Sequence, residues 1–399
     1  MNSKILGSVA IVAGTAIGGG MLALPLATAS LGTIPALLLL VAIWGVSIYT
    51  SLLMLEINLR TGVGLNLHSI TGKNLGRVGQ IIQAASFLSL LFALTMVYLM
   101  GGSSLLESKM DLIGMKMDNQ VAVLIFTAIF GGLIAVGVRW IDKVSRVLFT
   151  SMIALLVIVV AYLLPEVDMS LMMRDSTEGL VSGSALTNLW LAAIPIVFTS
   201  FGFHVCIATI VRYLDGDAVS LRKVLIIGST LPLVCYILWL MVTLGTLGGK
   251  TVYGFDGSLP QLVSALQSVA ESSVLQQFID LFANLALVTS FLGVTMSLFD
   301  YIAELIRAKE STMGRAQTWL ITFIPPLLCA LYYPDGFYKV LGFAAIPLVV
   351  MIIFLPIAMA LRQRKKNLGG YQVSGGTPAL GLAGLAGLTI ILAQLWVAL

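Results

Sequence analysis

The chain has 399 residues, of which 59% are hydrophobic and only 10% charged, against roughly a quarter charged in soluble domains. So many Leu, Ile, Val and Met side chains with so few charges exclude a water-solvated fold and leave a lipid bilayer as the solvent. The formal net charge of +4 is small, so where the charges stand matters more than their sum.

A spanning helix needs about 20 apolar residues. Eleven such segments are predicted, at 5–31, 34–57, 79–105, 119–138, 146–165, 187–211, 223–247, 274–301, 316–333, 337–361 and 378–398. The first begins after Lys4 and ends near Ala27-Thr28-Ala29, which mimics a secretory signal and its cleavage site. The run is long enough to span, and more spans follow, so it is read as a retained helix. Its middle holds Gly14-Thr15-Ala16-Ile17-Gly18-Gly19-Gly20. Each glycine costs about 1 kcal/mol against alanine inside a helix, so four in seven residues predict local unwinding. Unwound backbone at membrane depth is tolerated only against protein, water or ligand. Close packing of small residues would account for Gly14 and Gly18 as well.

The sixth segment has a polar, glycine-containing centre too, in Ile194-Pro195-Ile196-Val197-Phe198-Thr199-Ser200-Phe201-Gly202-Phe203-His204. Spans one to five and six to ten then form two halves, each opening on an interrupted helix. Paired interruptions point to a secondary transporter built on inverted repeats. The predicted organisation is a first repeat at 1–165, a loop at 166–186, a second repeat at 187–361, a basic loop at 362–377 and an eleventh span at 378–399. The semi-polar stretch 254–272 reads as a short external helix. Half-helix N-termini suit a carboxylate, and half-helix C-termini suit an ammonium group or a cation.

With the N-terminus in the cytoplasm, 17 of the 22 basic residues fall in inside segments, including Arg60, Lys73, Arg139, Lys143 and Arg362 to Lys366. The other five, Lys109, Lys116, Arg174, Lys250 and Lys339, fall outside. This asymmetry sets the orientation and puts the C-terminus on the far side. The basic residues therefore read as topology signals rather than nucleic-acid contacts.

The stretches VAGTAIGGGMLALPLA (12–27), IPIVFTSFGFH (194–204), RYLDG (212–216) and TSFLGVTMSLFDYIAEL (289–305) resemble the bacterial aromatic amino acid permeases, most closely their tyrosine-specific branch. The resemblance runs over nearly the whole chain. It implies an all-α integral membrane fold of the leucine-transporter kind: eleven transmembrane helices, a five-plus-five inverted repeat plus one C-terminal helix. It also implies proton-driven uptake of tyrosine, tryptophan or phenylalanine across a bacterial inner membrane.

Laid on this sequence, the pattern implies a substrate site of Thr15, Ala16, Gly18, Gly19 and Gly20 from the first span and Tyr98 from the third. Val197, Phe198, Ser200 and Phe203 from the sixth span and Ser290 and Val294 from the eighth complete it. The same overlay implies an ion site from the carbonyls of Gly14, Ile17 and Ala286 and the hydroxyls of Thr289 and Ser290. Five neutral oxygens suit Na⁺. Several proton-coupled relatives place a fifth-span lysine there, whereas this fifth span has none and carries Met152 at about that place. The coupling ion is therefore H⁺ or Na⁺.

Ionisable groups at membrane depth are functional candidates. His204 either titrates in a proton relay or bonds a substrate hydroxyl, or it is a neutral anchor for the broken helix. Asp280 takes a proton from outside or is solvated at the boundary, and Asn284 bonds without charge one turn deeper. Lys4 pairs with Asp300 or Glu304 as a cytoplasmic gate, or all three are ordinary interfacial charges, as is Glu56. Phe87, Phe92, Trp190 and Phe291 read as packing residues.

Other chemistry is missing. Cys206, Cys235 and Cys329 lie in apolar runs and read as small hydrophobes. There is no phosphate-binding G-x-x-x-x-G-K-[ST] loop, and two histidines with three scattered cysteines form no metal cluster. The expectation is a carrier rather than an enzyme or channel, with membrane lipid and an amino acid as its partners and no cofactor beyond the ion. A serine or threonine carrier remains the nearest rival.

Overall fold

The computed structural model describes residues 3–136, 138–173, 184–309, 311–366 and 369–398. Residues 174–183 of the loop predicted at 166–186, Arg174 among them, and part of the basic loop at 362–377 lie outside the described residues. Every predicted span coincides with helix, and the described residues contain no strand.

Helix α1 (Ser3–Ala16) and helix α2 (Gly19–Thr28) form the first span, bent by 51° at a two-residue gap. Helices α3 (Thr33–Thr61) and α4 (Leu67–Leu112) follow. At 46 residues and 1.5 Å per residue, α4 is far longer than a bilayer needs. Gly76, at φ 73°, divides it into a short leading helix and the predicted span. The rest are α5 (Asn119–Ala135), α6 (Val138–Leu163), α7 (Ser184–Ser200), α8 (Ile207–Tyr213), α9 (Ala218–Leu247), α10 (Leu259–Val269), α11 (Ser273–Leu305), α12 (Thr312–Tyr332), α13 (Phe337–Lys365) and α14 (Gly376–Ala398). Helix α10 falls within the stretch expected to form a short external helix.

Eight described helices are long and apolar enough to cross a membrane, and the bent pair α1–α2 makes a ninth. Helix α5, a shorter apolar helix, and α12 lie on the two remaining predicted segments. They are joined where the backbone of α5 widens at Thr127–Gly131. There the Trp319 indole donates to the Gly131 carbonyl at 2.9 Å, and Arg315 Nη2 to the Ala135 carbonyl at 2.8 Å. Partners on α12 thus satisfy carbonyls in and just beyond the widened turn.

The broken span sits at the centre of the bundle. Helix α1 packs on α9, α2 packs on α7 and α11, and α11 packs in turn on α4 and α6. Glycine permits this closeness through lack of side-chain volume. A Cβ on Gly228 of α9 would lie 2.7 Å from Val12 Cβ.

One end of the bundle carries a buried ionic hub. Glu56 of α3 is fully buried and accepts from Arg364 Nε at 2.9 Å and Nη2 at 2.7 Å. Arg60 Nη1 stands 3.3 Å away, and the backbone N–H of Val373 donates to the same carboxylate at 2.9 Å. Arg60 Nε also donates to the Tyr371 carbonyl at 3.0 Å. The sequence reading of Glu56 as an ordinary interfacial charge is corrected here: a buried carboxylate must be paired and hydrogen-bonded, and this one joins α3, α13 and the link to α14.

Candidate functional site

Helix α1 ends at Ala16 and α2 starts at Gly19, with Gly18 extended at φ −175° between them. Any residue tolerates that φ, so it is space that requires glycine here. A Cβ on Gly18 would collide with Ser290 Oγ, and one on Gly19 would lie 2.7 Å from the Tyr98 ring. The Gly19 N–H donates to Ser290 Oγ at 2.9 Å. The Ser290 hydroxyl in turn reaches the Ala286 carbonyl at 2.8 Å.

Helix α7 ends at Ser200, and a turn through Phe201 and Gly202 leads into a tight 3₁₀ segment at Phe203–Cys206 before α8. Both breaks therefore present the carbonyl end of one half-helix and the N–H end of another. The Ser200 hydroxyl reaches the Gly20 carbonyl at 3.2 Å, so the breaks touch. Behind them stands Tyr236 of α9, fully buried. Its hydroxyl lies 2.7 Å from the Ala16 carbonyl and 2.8 Å from the Ser200 carbonyl.

A cavity of about 360 Å³ opens on the two breaks, within the range of small-molecule sites. Thr15, Ala16, Gly20, Thr199, Ser200 and Gly202 make its polar side. Phe87, Leu90, Leu91 and Leu94 of α4, with Val205, Val294 and Leu341, make its apolar side. Tyr98, Gly293 and Ser297 complete the wall. A second cavity of about 220 Å³ shares Thr15, Ala16, Tyr98 and Val294 and adds Gly14, Ile17, Gly18, Thr289, Ser290 and Phe149.

The structure thus brings together Thr15, Ala16, Gly18, Gly19, Gly20, Tyr98, Ser200, Ser290 and Val294 of the expected substrate set. Val197, Phe198 and Phe203 are fully buried outside the cavity wall. Gly14, Ile17, Ala286, Thr289 and Ser290 of the expected ion set gather beside the first break. Met152 is there as well, its Sδ 3.6 Å from Thr289 Oγ1.

The ionisable candidates lie elsewhere. His204 is buried against α3, its Nε2 2.8 Å from Thr50 Oγ1 and 3.1 Å from the Ser47 carbonyl, and it lines neither cavity. Asp280 pairs with Lys109 at 2.5 Å and accepts from Asn284 Nδ2 at 3.1 Å, at the end of the bundle remote from the hub. Lys4 pairs with Asp215 at 3.8 Å, both well exposed, instead of with Asp300 or Glu304. The expected gate pair is corrected on this point: the loop after α8 brings its own carboxylate to the start of α1.

Two features escaped the sequence reading. Phe87, read as packing, lines the cavity with Leu90, Leu91, Leu94 and Tyr98, a stripe whose helical spacing was legible. Tyr236 carried no signal, because nothing in a sequence names the carbonyls a buried tyrosine will meet.

Residues 1–394 match the tryptophan/tyrosine permease family. The chain belongs to that family. The permease is 36% identical over 383 residues to tyrosine-specific transport system 1 of Haemophilus influenzae, covering 95% of this chain and 93% of the relative. It is 32% identical to glutamine transporter 2 of Aliivibrio fischeri, over 99% and 100% of the two chains. It is likewise 32% identical to the tryptophan-specific transport protein of H. influenzae, over 98% and 96%. The permease is a multi-pass membrane transporter rather than an enzyme. Among its described residues, no cluster of three or more His, Cys, Asp or Glu could hold a metal ion.

Proposed function

We propose that this permease imports an aromatic amino acid, with tyrosine as the favoured substrate, by proton symport across the inner membrane. The observation that carries the reading is the two-sided cavity at the breaks. An amino acid's ammonium group suits the carbonyl ends at Ala16 and Ser200. Its carboxylate suits the N–H end of α2 at Gly20, which lines the cavity. Its side chain then lies along Phe87, Leu90, Leu91 and Leu94, and Phe87 offers a ring for edge or offset stacking. A relative of similar identity is named for glutamine, so the apolar side of the cavity supports the aromatic choice better than overall similarity does.

In this reading all eleven helical segments cross the membrane, as two inverted halves of five and one added span, with the N-terminus in the cytoplasm. Alternating access works around the two breaks. The Lys4–Asp215 pair and the Glu56 hub then stand at the cytoplasmic end.

Sodium coupling is the second reading, and Met152 favours it. A lysine at this place would fill an ion site with its own charge, whereas a thioether leaves the oxygens of Gly14, Ile17, Ala286, Thr289 and Ser290 without a competing cation. Uptake into proteoliposomes decides both matters, with proton and sodium gradients imposed separately and labelled tyrosine, tryptophan, glutamine and serine compared. Tyrosine accumulation driven by the proton gradient alone is the expected result, and accumulation only with sodium establishes the second reading. If no amino acid accumulates under either gradient, symport is excluded.

A further inference from the structure

Tyr236 is the point where the two broken helices are joined from behind. Ala16 is the last residue of α1 and Ser200 the last of α7, so each carbonyl belongs to a half-helix end with no next turn to satisfy it. One phenol oxygen stands 2.7 Å from the first and 2.8 Å from the second. A phenol has a single proton to donate. It therefore serves one carbonyl fully or shares itself between the two, and the pair is always one donor short. The ring is fixed by burial and by an edge contact with Phe201, centroids 5.2 Å apart.

We infer that Tyr236 is a positioning residue for the substrate's amino group. Its hydroxyl holds the two half-helix carbonyl ends at the spacing that receives an ammonium group and leaves them the donor deficit that group fills. This rests on the amino acid reading above. Removing the hydroxyl frees the α1 end from the α7 end, so a ligand bearing an ammonium group loses the preset spacing. A ligand without one never used it.

The test compares tyrosine with its des-amino analogue, 3-(4-hydroxyphenyl)propionate, on purified full-length protein. In Tyr236→Phe the Kd and KM for tyrosine rise about tenfold, the worth of one hydrogen bond to a buried group, while Vmax per folded molecule and inhibition by the des-amino analogue hold. Incorporating 4-aminophenylalanine at position 236 restores a para donor that holds the same spacing and leaves each carbonyl's second lone pair for the ammonium group, so tyrosine affinity comes back to within about threefold of the natural chain. Trp239→Phe, one turn along the same buried face of α9, lowers thermal stability and leaves both ligands' constants unchanged. Equal weakening of both ligands in Tyr236→Phe, or no weakening of tyrosine, overturns the inference. If Tyr236→Phe does not fold, the 4-aminophenylalanine protein decides it: tyrosine affinity lost there also overturns it. Tyrosine bound by the natural protein but unchanged by Tyr236→Phe defeats the positioning role alone, whereas no amino acid bound by the natural protein defeats the functional reading and this inference with it.

Discussion

The two breaks look alike in sequence and are held open by different means. The first, at Ala16–Gly19, is kept open by crowding: Ser290 and Tyr98 occupy the volume that side chains on Gly18 and Gly19 would need. The second, at Ser200–Phe203, holds one glycine, and a Cβ there would approach the Thr199 carbonyl at 3.2 Å, tight but adjustable. That break is held by an anchor instead, His204 bonded to Ser47 and Thr50 of α3. The first therefore depends on what is missing from its residues and the second on what one residue reaches.

The sharpest way to break the comparison is Gly19→Leu. The added side chain displaces the Tyr98 ring, and tyrosine binding falls at least about a hundredfold in a scintillation binding assay, while folded yield by size-exclusion chromatography stays near that of the natural chain. Unchanged binding would show that the first break does not shape the site. His204→Ala comes next, because it removes a buried ring and its hydrogen bonds to the Ser47 carbonyl and the Thr50 hydroxyl. A loss of about 1–3 kcal/mol follows, read as a lower midpoint in thermal unfolding. His204→Gln keeps a donor and retains both stability and the pH profile of uptake. A flattened pH profile in that variant would make the histidine a proton carrier and not an anchor. Ser290→Ala removes the acceptor of the Gly19 N–H, and KM for tyrosine rises about fivefold, near 1 kcal/mol. The smallest effect belongs to Gly202→Ala, whose φ of −74° suits alanine. A shift in KM under about threefold is expected, for a neighbour displaced by tenths of an ångström and less than the worth of one hydrogen bond. A loss as large as that of Gly19→Leu would erase the distinction between the breaks.

Legibility follows the same division. The first break was readable because glycine states its own conformational weakness, and no partner needed to be known. The turn at Gly202 was readable as a position, but the destination of His204 was not, because it depends on how α3 packs, which no local pattern encodes. The overlay from the resemblance put Thr15 to Gly20 at the first break, where Thr15, Ala16, Gly18 and Gly20 line the two cavities. It fared less evenly with side chains: Val197, Phe198 and Phe203 turn into the core, away from the cavity wall. Helix was legible at each predicted span from apolar length alone, whereas the extra length of α4 and its bend at Gly76 were not read, because the leading helix before Gly76 lies outside the apolar run. Charge pairing was the least legible feature, since Lys4 found Asp215 and Asp280 found Lys109 through contacts between distant segments.

The Glu56 hub has a consequence for where this chain can be shortened. The link to α14 is riveted on both sides, through the Val373 N–H to the carboxylate and the Tyr371 carbonyl to Arg60. Removing the last helix with a cut after Gly375 keeps those rivets. A cut after Lys366 takes them away and strips a buried carboxylate of one of its donors. Helix α14 is therefore separable only beyond its connecting loop, because that loop is bonded into the body through α3.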